Sequence, residues 1–191
     1  IGGFLQSLSN TTTASGMGGV GKTMTAAALV RDEDVRKSFS KICWVSIGQE
    51  PDTPALQQTL HIQLVGLPLP EAARADERVA LEALRAAAAD VSVLLVLDDV
   101  WQAAHTTPIN FVIGSGDGGA SAAGNRSAVV VTTRMRSLIE GAAEVQCGVL
   151  SAEASLELLL RAGGCEHLLG SPPPAAVEAV ELCGRLPLAL G

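Results

Sequence analysis

The sequence predicts an α/β fold, in which helices cover both faces of a parallel sheet. Short, almost wholly apolar runs alternate along the chain with longer segments whose apolar residues recur at helical spacing. Runs of this kind are typical of strands that are buried on both faces of a sheet. Their alternation with helices indicates right-handed crossovers between parallel strands.

Composition and charge narrow the classes of protein. The 191 residues are 48% apolar and 17% charged, which excludes a disordered tail and a coiled coil. A net charge of −7 argues against direct binding to nucleic acid, because affinity for a phosphate backbone comes from clustered positive charge. No apolar run approaches the roughly 18 residues of a membrane span. The four cysteines form no C-x-x-C pair and are expected to be reduced thiols of a cytoplasmic protein.

Three apolar runs are the predicted inner strands of the sheet. They are residues 41–47 (KICWVSI), 91–97 (VSVLLVL) and 128–132 (AVVVT). A further strand is expected at residues 10–15, which read NTTTAS. Threonine favours strands, yet this segment is a poor sequence for a central strand because it is so polar.

Helical patterns fill the intervals and the end of the chain. Apolar stripes at helical spacing are Leu56/Leu60/Leu64, Leu81/Leu84/Ala88, Leu156/Leu159/Leu160/Gly163 and Ala176/Val180/Cys183. Beyond residue 150 only helical patterns remain, which predicts one domain over residues 1–150 and a partial helical subdomain over 151–191. Residues 114–124 (GSGDGGASAAG) have the composition of a flexible loop.

A glycine-rich segment predicts a phosphate-binding loop. Residues 16–23 (GMGGVGKT) fit the pattern G-x-x-x-x-G-K-[ST], in which backbone N–H groups cradle phosphate oxygens at the start of a helix. Lys22 is expected to reach the β- and γ-phosphates, and Thr23 to offer its hydroxyl to Mg²⁺. The predicted binding segment is Gly16, Met17, Gly18, Gly19, Val20, Gly21, Lys22, Thr23 and Met24. The alternative is an ordinary glycine-rich turn between a strand and a helix.

Two carboxylates end the apolar run of residues 94–101 (LLVLDDVW), at the edge of the sheet where α/β proteins bind ligands. Asp98 is the candidate Mg²⁺ ligand, directly or through water. Asp99 is the candidate for polarising an attacking water, or for a supporting role around that water. The alternative is a pair of solvated loop acids.

Arg134 ends another buried run, residues 129–134 (VVVTTR), at the same edge. Its planar guanidinium suits phosphate oxygens, so it is a candidate sensor of the γ-phosphate. The alternatives are a surface arginine and an arginine paired with a carboxylate. Trp44 and Trp101 are expected to be packing residues.

Five blocks together resemble the NB-ARC nucleotide-binding domain of plant-type disease-resistance proteins and animal apoptotic-protease activators, a branch of the STAND class of ATPases. The blocks are 16–23, 39–49 (FSKICWVSIGQ), 94–101, 129–134 and 184–190 (GRLPLAL), in the order of the family. The last block looks like the family's GLPLA motif. Trp44 and Trp101 look like the branch without a TIR signalling domain.

The resemblance implies a P-loop NTPase fold with a five-stranded parallel sheet of order 2-3-1-4-5. It implies a switch that holds ADP when inactive and ATP with Mg²⁺ when active, with at most slow hydrolysis. Lys22, Thr23 and Asp98 would hold phosphate and Mg²⁺, Pro187 would lie against the adenine, and Arg134 would sense the γ-phosphate. The implied partners are other domains or signalling proteins, with self-association among the options.

Two other functions stay open at this point. One is a truncated or degenerate fragment that serves as an interaction module, because the chain ends directly after the last block. The other is a small-molecule P-loop kinase, which is disfavoured because no segment with paired arginines resembles a lid.

Overall fold

A five-stranded sheet flanked by helices carries the fold in the computed structural model, which describes residues 11–112 and 127–191. Its strands are β1 (Thr11–Ser15), β2 (Lys41–Gly48), β3 (Val93–Val100), β4 (Ala128–Thr133) and β5 (Ala143–Gln146). The helices are α1 (Lys22–Arg31), α2 (Glu33–Ser38), α3 (Thr53–Val65), α4 (Glu71–Arg74), α5 (Glu77–Ala88), α6 (Ala152–Ala162), α7 (Pro174–Leu182) and α8 (Pro187–Leu190). Short 3₁₀ helices lie at Ala103–Thr106 and Glu166–Leu168. The predicted α/β class is confirmed, whereas the predicted loop at 114–124 lies outside the described residues.

The strand order is β2-β3-β4-β1-β5, so the predicted order 2-3-1-4-5 is wrong in the positions of β1 and β4. Strand β4 pairs in parallel with β3 on one side and with β1 on the other, and β2 pairs in parallel with β3. The order depends on which backbones pair across the sheet, and the apolar pattern of a single strand does not specify it. Strand β4, which reads AVVVTT, lies between two strands and is buried at all six positions.

Alternate residues of β3 face two separate cores. Leu95 and Leu97 belong to one buried cluster, and Leu94 and Val96 belong to another. The first cluster includes Leu60, Leu64 and Leu84 of α3 and α5, and the second includes Ala26, Leu29 and Val35 of α1 and α2. Since both faces are apolar, the strand reads as a continuous apolar run, as the sequence predicts.

Strand β1 is buried at all five positions in spite of its three threonines. Within the described residues, the hydroxyls of Thr12 and Thr13 are buried and have no hydrogen-bond partner. An unsatisfied buried hydroxyl costs about 1–3 kcal/mol. The polar sequence that predicts a poor central strand is thus tolerated in an inner strand, at a cost in stability.

The described residues divide into two compact units. One holds residues 11–15, 23–112 and 127–145, and the other holds 16–22 and 146–191. The first unit contains most of the sheet, and the second contains α6, α7 and α8. None of the helices within 11–112 and 127–191 has the length and apolarity that a bilayer crossing requires.

Candidate functional site

The glycine-rich loop packs closely against residues of its own unit. Gly19 has a φ of +85°, and its carbonyl oxygen accepts a hydrogen bond from the backbone N–H of Leu188, 3.2 Å away. A Cβ atom at Gly16 would lie 2.4 Å from the carbonyl oxygen of Cys147. Glycine is therefore required at position 19 by conformation and at position 16 by space. Phosphate binding alone predicts these glycines from the sequence, whereas their packing role is evident only in the structure.

Lys22 closes the loop with its own side chain. It is the first residue of α1 and is only 8% exposed. Its Nζ donates to the carbonyl oxygens of Gly16, at 2.9 Å, and Met17, at 3.0 Å. The ammonium thus lies inside the curve of the loop, bound to neutral oxygens.

Cys147 and Pro187 lie near the same loop within this unit. Burial raises the pKa of the Cys147 thiol, while the positive charge of Lys22 opposes that rise. Pro187 is the first residue of α8, and its Cγ would lie 4.0 Å from a Cβ atom at Gly21. The structure therefore brings Pro187 beside the loop that the sequence assigns to phosphate.

Asp98 accepts hydrogen bonds from two hydroxyl groups in the unit that contains most of the sheet. Its Oδ1 accepts hydrogen bonds from Oγ1 of Thr23, at 2.8 Å, and from Oγ1 of Thr132, at 2.6 Å. Asp98 is 6% exposed, so a buried carboxylate is held by two neutral donors. Thr23 and Asp98 are the metal ligands expected from the sequence, whereas Thr132 is not among the predicted site residues. Its position at the end of β4, in the same polar block as Arg134, is the signal that would have found it.

An irregularity in β3 separates the two adjacent carboxylates. Leu97 pairs with Val131 and Val100 pairs with Thr133. Between these two pairs β3 therefore contains one residue more than β4, as in a β-bulge. Asp99 has a φ of +54°, and its N–H donates to Oγ1 of Thr132 at 2.9 Å. The Asp98 side chain is consequently buried while that of Asp99 is 41% exposed.

Asp99, Trp101 and Arg134 form a second cluster in this unit. The indole N–H of Trp101 donates to Oδ2 of Asp99 at 3.1 Å. Nε of Arg134 lies 3.9 Å from Oδ1 of Asp99, and its Cζ lies 4.9 Å from the centroid of the Trp101 ring. Both alternatives for Arg134, a surface arginine and an arginine paired with a carboxylate, agree with this position, since its side chain is 53% exposed. Trp101, expected to be a packing residue, makes a hydrogen bond and a cation–π contact.

The remaining predicted residues of the loop differ in exposure. Val20 is buried, whereas Met17 and Met24 are 59% and 68% exposed. The two exposed methionines thus precede and follow the buried Lys22 in the sequence.

The donor atoms of these clusters suit magnesium and phosphate. Mg²⁺ prefers oxygen ligands, and it is usually bound by one or two protein side chains together with phosphate and water. The Thr23 hydroxyl and the Asp98 carboxylate are such ligands. Across residues 11–112 and 127–191 there is no group of three or more His, Cys, Asp or Glu side chains that would hold a metal unaided. The residues therefore fit a magnesium ion whose other ligands come from a phosphate and from water.

Comparison with known proteins gives a family and a fold. The NB-ARC domain profile matches residues 5–168. The protein named "Putative disease resistance protein RGA4" of Solanum bulbocastanum is 29% identical over 91% of this chain, which spans only 17% of that protein.

Solved structures agree on the fold. A signal transduction ATPase with numerous domains (STAND) that carries a tetratricopeptide repeat sensor, from Pyrococcus horikoshii, is 17% identical with a TM-score of 0.59. The match covers 96% of the present chain and 27% of the STAND protein. Cdc6p of Pyrobaculum aerophilum is 18% identical with a TM-score of 0.56. That match covers 81% of the present chain and 43% of the Cdc6p chain. At these identities the likeness concerns the fold alone.

Proposed function

The chain belongs to the NB-ARC family, and on that premise we propose that it binds ADP and ATP as a nucleotide-dependent signalling switch in a defence or stress response. The similarity to a protein named for disease resistance supports the defence role. The nucleotide switch follows from the family and from the residues at positions 16–23, 98 and 134. The observation that carries the proposal is the bond between the Thr23 hydroxyl and the buried Asp98 carboxylate.

Thr23 and Asp98 are the proposed magnesium ligands. Their oxygens already lie 2.8 Å apart, and Thr132 holds the carboxylate from the other side. A bound magnesium ion would neutralise charge on the terminal phosphates of the nucleotide. The role of Thr132 is then to orient the carboxylate.

Lys22 is the proposed phosphate contact. It is covalently adjacent to Thr23, so the loop and the hydroxyl cluster are joined by one peptide bond. Its Nζ is bound to the carbonyl oxygens of Gly16 and Met17. A phosphate oxygen is a stronger partner for an ammonium group than a neutral carbonyl, because the bond is between opposite charges. The loop residues from Gly16 to Met24 and Pro187, proposed to lie against the adenine, would complete the nucleotide site.

Hydrolysis is proposed to be slow. Asp99 would polarise the attacking water and Arg134 would contact the γ-phosphate. Asp99 already accepts a hydrogen bond from the Trp101 indole, and the Arg134 guanidinium lies beside it. An attacking water would have to compete with these two groups for the oxygens of Asp99.

The wider assignment is also a proposal. Residues 1–150 would be the nucleotide-binding subdomain and 151–191 a partial helical subdomain, in a cytoplasmic protein. Its partners would be other domains or signalling proteins, and self-association is among the interactions to examine.

Nucleotide content tests the proposal. Purified protein is denatured, the released nucleotide is identified by chromatography, and the emptied protein is titrated with ADP and ATP in the presence of Mg²⁺. The expected result is released ADP and measurable affinity for both nucleotides. An empty supernatant together with no affinity would contradict the switch and favour an interaction module. Rapid transfer of phosphate to small hydroxylated compounds would favour a kinase instead.

A further inference from the structure

Trp101 presents a fixed aromatic face to Arg134. Its indole N–H is bound to Oδ2 of Asp99, and the Asp99 N–H is bound to Oγ1 of Thr132 in the sheet. The ring is therefore anchored to the end of β4 through Asp99. This bond satisfies the indole N–H and fixes the orientation of the ring.

Arg134 is held by two groups at once. Its guanidinium lies over the Trp101 ring, with Cζ 4.9 Å from the ring centroid, and its Nε faces Oδ1 of Asp99. The Asp99 carboxylate offers the guanidinium the same kind of anionic oxygen that a terminal phosphate would offer. Since a guanidinium has five N–H donors, it is the position of the whole group over the Trp101 ring, and not one N–H, that a phosphate would have to change.

We propose that Trp101 and Asp99 form a resting dock for Arg134, and that Trp101 is a positioning residue that weakens the binding of ATP relative to ADP. This inference rests on the proposed function, in which Arg134 contacts the γ-phosphate. ATP has to draw Arg134 away from the dock, whereas ADP, which lacks that phosphate, leaves the dock occupied. A ligand shifts such an equilibrium by its different affinity for the two positions, so the stability of the dock lowers the affinity for ATP alone.

The first test needs no nucleotide and no change at Trp101. Since the chain has two tryptophans, Trp44→Phe leaves Trp101 as the single emitter. In this background Arg134→Ala is expected to shift the emission of Trp101 and to increase its quenching by acrylamide. Arg136→Ala, an exposed arginine two residues further on, is the matched control and is expected to change neither. Unchanged emission and quenching in Arg134→Ala would overturn the dock.

The same protein reports the effect of nucleotide. A non-hydrolysable ATP analogue with Mg²⁺ is expected to reproduce the emission change of Arg134→Ala, and ADP with Mg²⁺ is not. Equal changes with both nucleotides, or a change with ADP alone, would overturn the competition. This measurement decides the inference even where a variant at Trp101 fails to fold.

The second test measures affinity. Trp101→Leu is expected to improve the affinity for the ATP analogue relative to ADP by about two- to fivefold, the range of an exposed cation–π contact. Trp101→Phe keeps an aromatic face and is expected to change the ratio less. In an Arg134→Ala background, Trp101→Leu is expected to leave the ratio unchanged, because the partner is gone.

The outcomes separate the two proposals. A ratio that stays the same or moves toward ADP in Trp101→Leu overturns the dock, while nucleotide binding itself stands. A purely structural role for Trp101 would alter both affinities equally, and this also overturns the dock. Absence of binding of either nucleotide to the wild type contradicts the proposed function and, with it, this inference.

Discussion

The hydroxyl of Thr132 lies 2.6 Å from Oδ1 of Asp98 and donates a hydrogen bond to it. The same oxygen of Thr132 accepts the N–H of Asp99, so one side chain binds both residues of the acidic pair. Together with the Thr23 hydroxyl on Asp98 and the Trp101 indole on Asp99, this forms a continuous hydrogen-bonded network across the sheet unit. Thr132 is its centre.

Thr132→Val is expected to destabilise the protein. The valine keeps the shape but leaves a buried carboxylate with one hydroxyl donor fewer and the Asp99 N–H without its acceptor. A hydrogen bond to a charged group is worth about 1.5–3 kcal/mol, and a loss of this size is expected in urea unfolding. Thr132→Ser retains the hydroxyl and is expected to recover most of the loss. Equal stability of Thr132→Val and the wild type would show that the network contributes little.

Thr12→Val is expected to stabilise the protein, by about 1 kcal/mol, since it removes a buried hydroxyl that has no partner among the described residues. Thr133→Val is the matched control on β4, because its hydroxyl accepts the N–H of Met135 at 3.1 Å. The same substitution is expected to destabilise at position 133. Urea unfolding of the two variants checks the pair, and the same sign at both positions would contradict the explanation.

Gly16→Ala is expected to destabilise the protein or displace the loop. The added Cβ would meet the carbonyl oxygen of Cys147 at 2.4 Å, and backbone cannot yield as a side chain does. Overpacking of this kind costs about 1–3 kcal/mol. Gly148→Ala is the control, because a Cβ there meets nothing within 4 Å. Thermal unfolding distinguishes them, and similar melting temperatures would argue against the close approach.

Glu144 is expected to make stability depend on pH. A hydrogen bond from the Ser15 hydroxyl, then one from the Ser137 N–H, holds the pKa of its carboxyl below the ordinary 4.5. Because the folded-state pKa is lowered, the contribution is complete above pH 4.5 and is lost as the pH falls through the folded-state value.

Glu144→Gln checks this dependence. Urea unfolding followed from neutral pH down through pH 4.5 is expected to show a flatter acid limb in this variant than in the wild type. Glu178→Gln, which removes an exposed carboxylate on α7, is the matched control and is expected to leave the limb unchanged. A limb of the same slope in Glu144→Gln and the wild type would contradict the role of Glu144.

The sequence predicts the apolar strands well, because burial on both faces leaves a direct mark on composition. Strands β3 and β4 occur where their apolar runs stand. The strand order is a different matter, since it depends on pairing between residues far apart in the chain, such as Thr12 with Val130. The order taken from the family resemblance placed β1 where β4 lies.

At the site, too, the sequence pattern predicts where the residues lie in the sheet but not the local environment of each side chain. Asp98 lies near the carboxyl end of β3 and Arg134 directly after β4, so both are at the same edge of the parallel sheet, as the pattern predicts. The opposite environments of Asp98 and Asp99 depend on the extra residue in β3 and on the positive φ of Asp99, which have no signature in the letters DD. The dual role of Thr132 and the contact of Trp101 with Arg134 follow from that local geometry.

The affinity of Lys22→Ala for ADP, measured by calorimetry with Mg²⁺, tests most directly whether the glycine-rich loop binds phosphate. We expect a fall of at least about tenfold, because a hydrogen bond from a charged donor to phosphate is worth about 1.5–3 kcal/mol. Lys37→Ala, which removes an exposed lysine of α2 that pairs with Glu33, is predicted to bind ADP like the wild type. Wild-type affinity in a folded Lys22→Ala protein would contradict the assignment of the loop to phosphate.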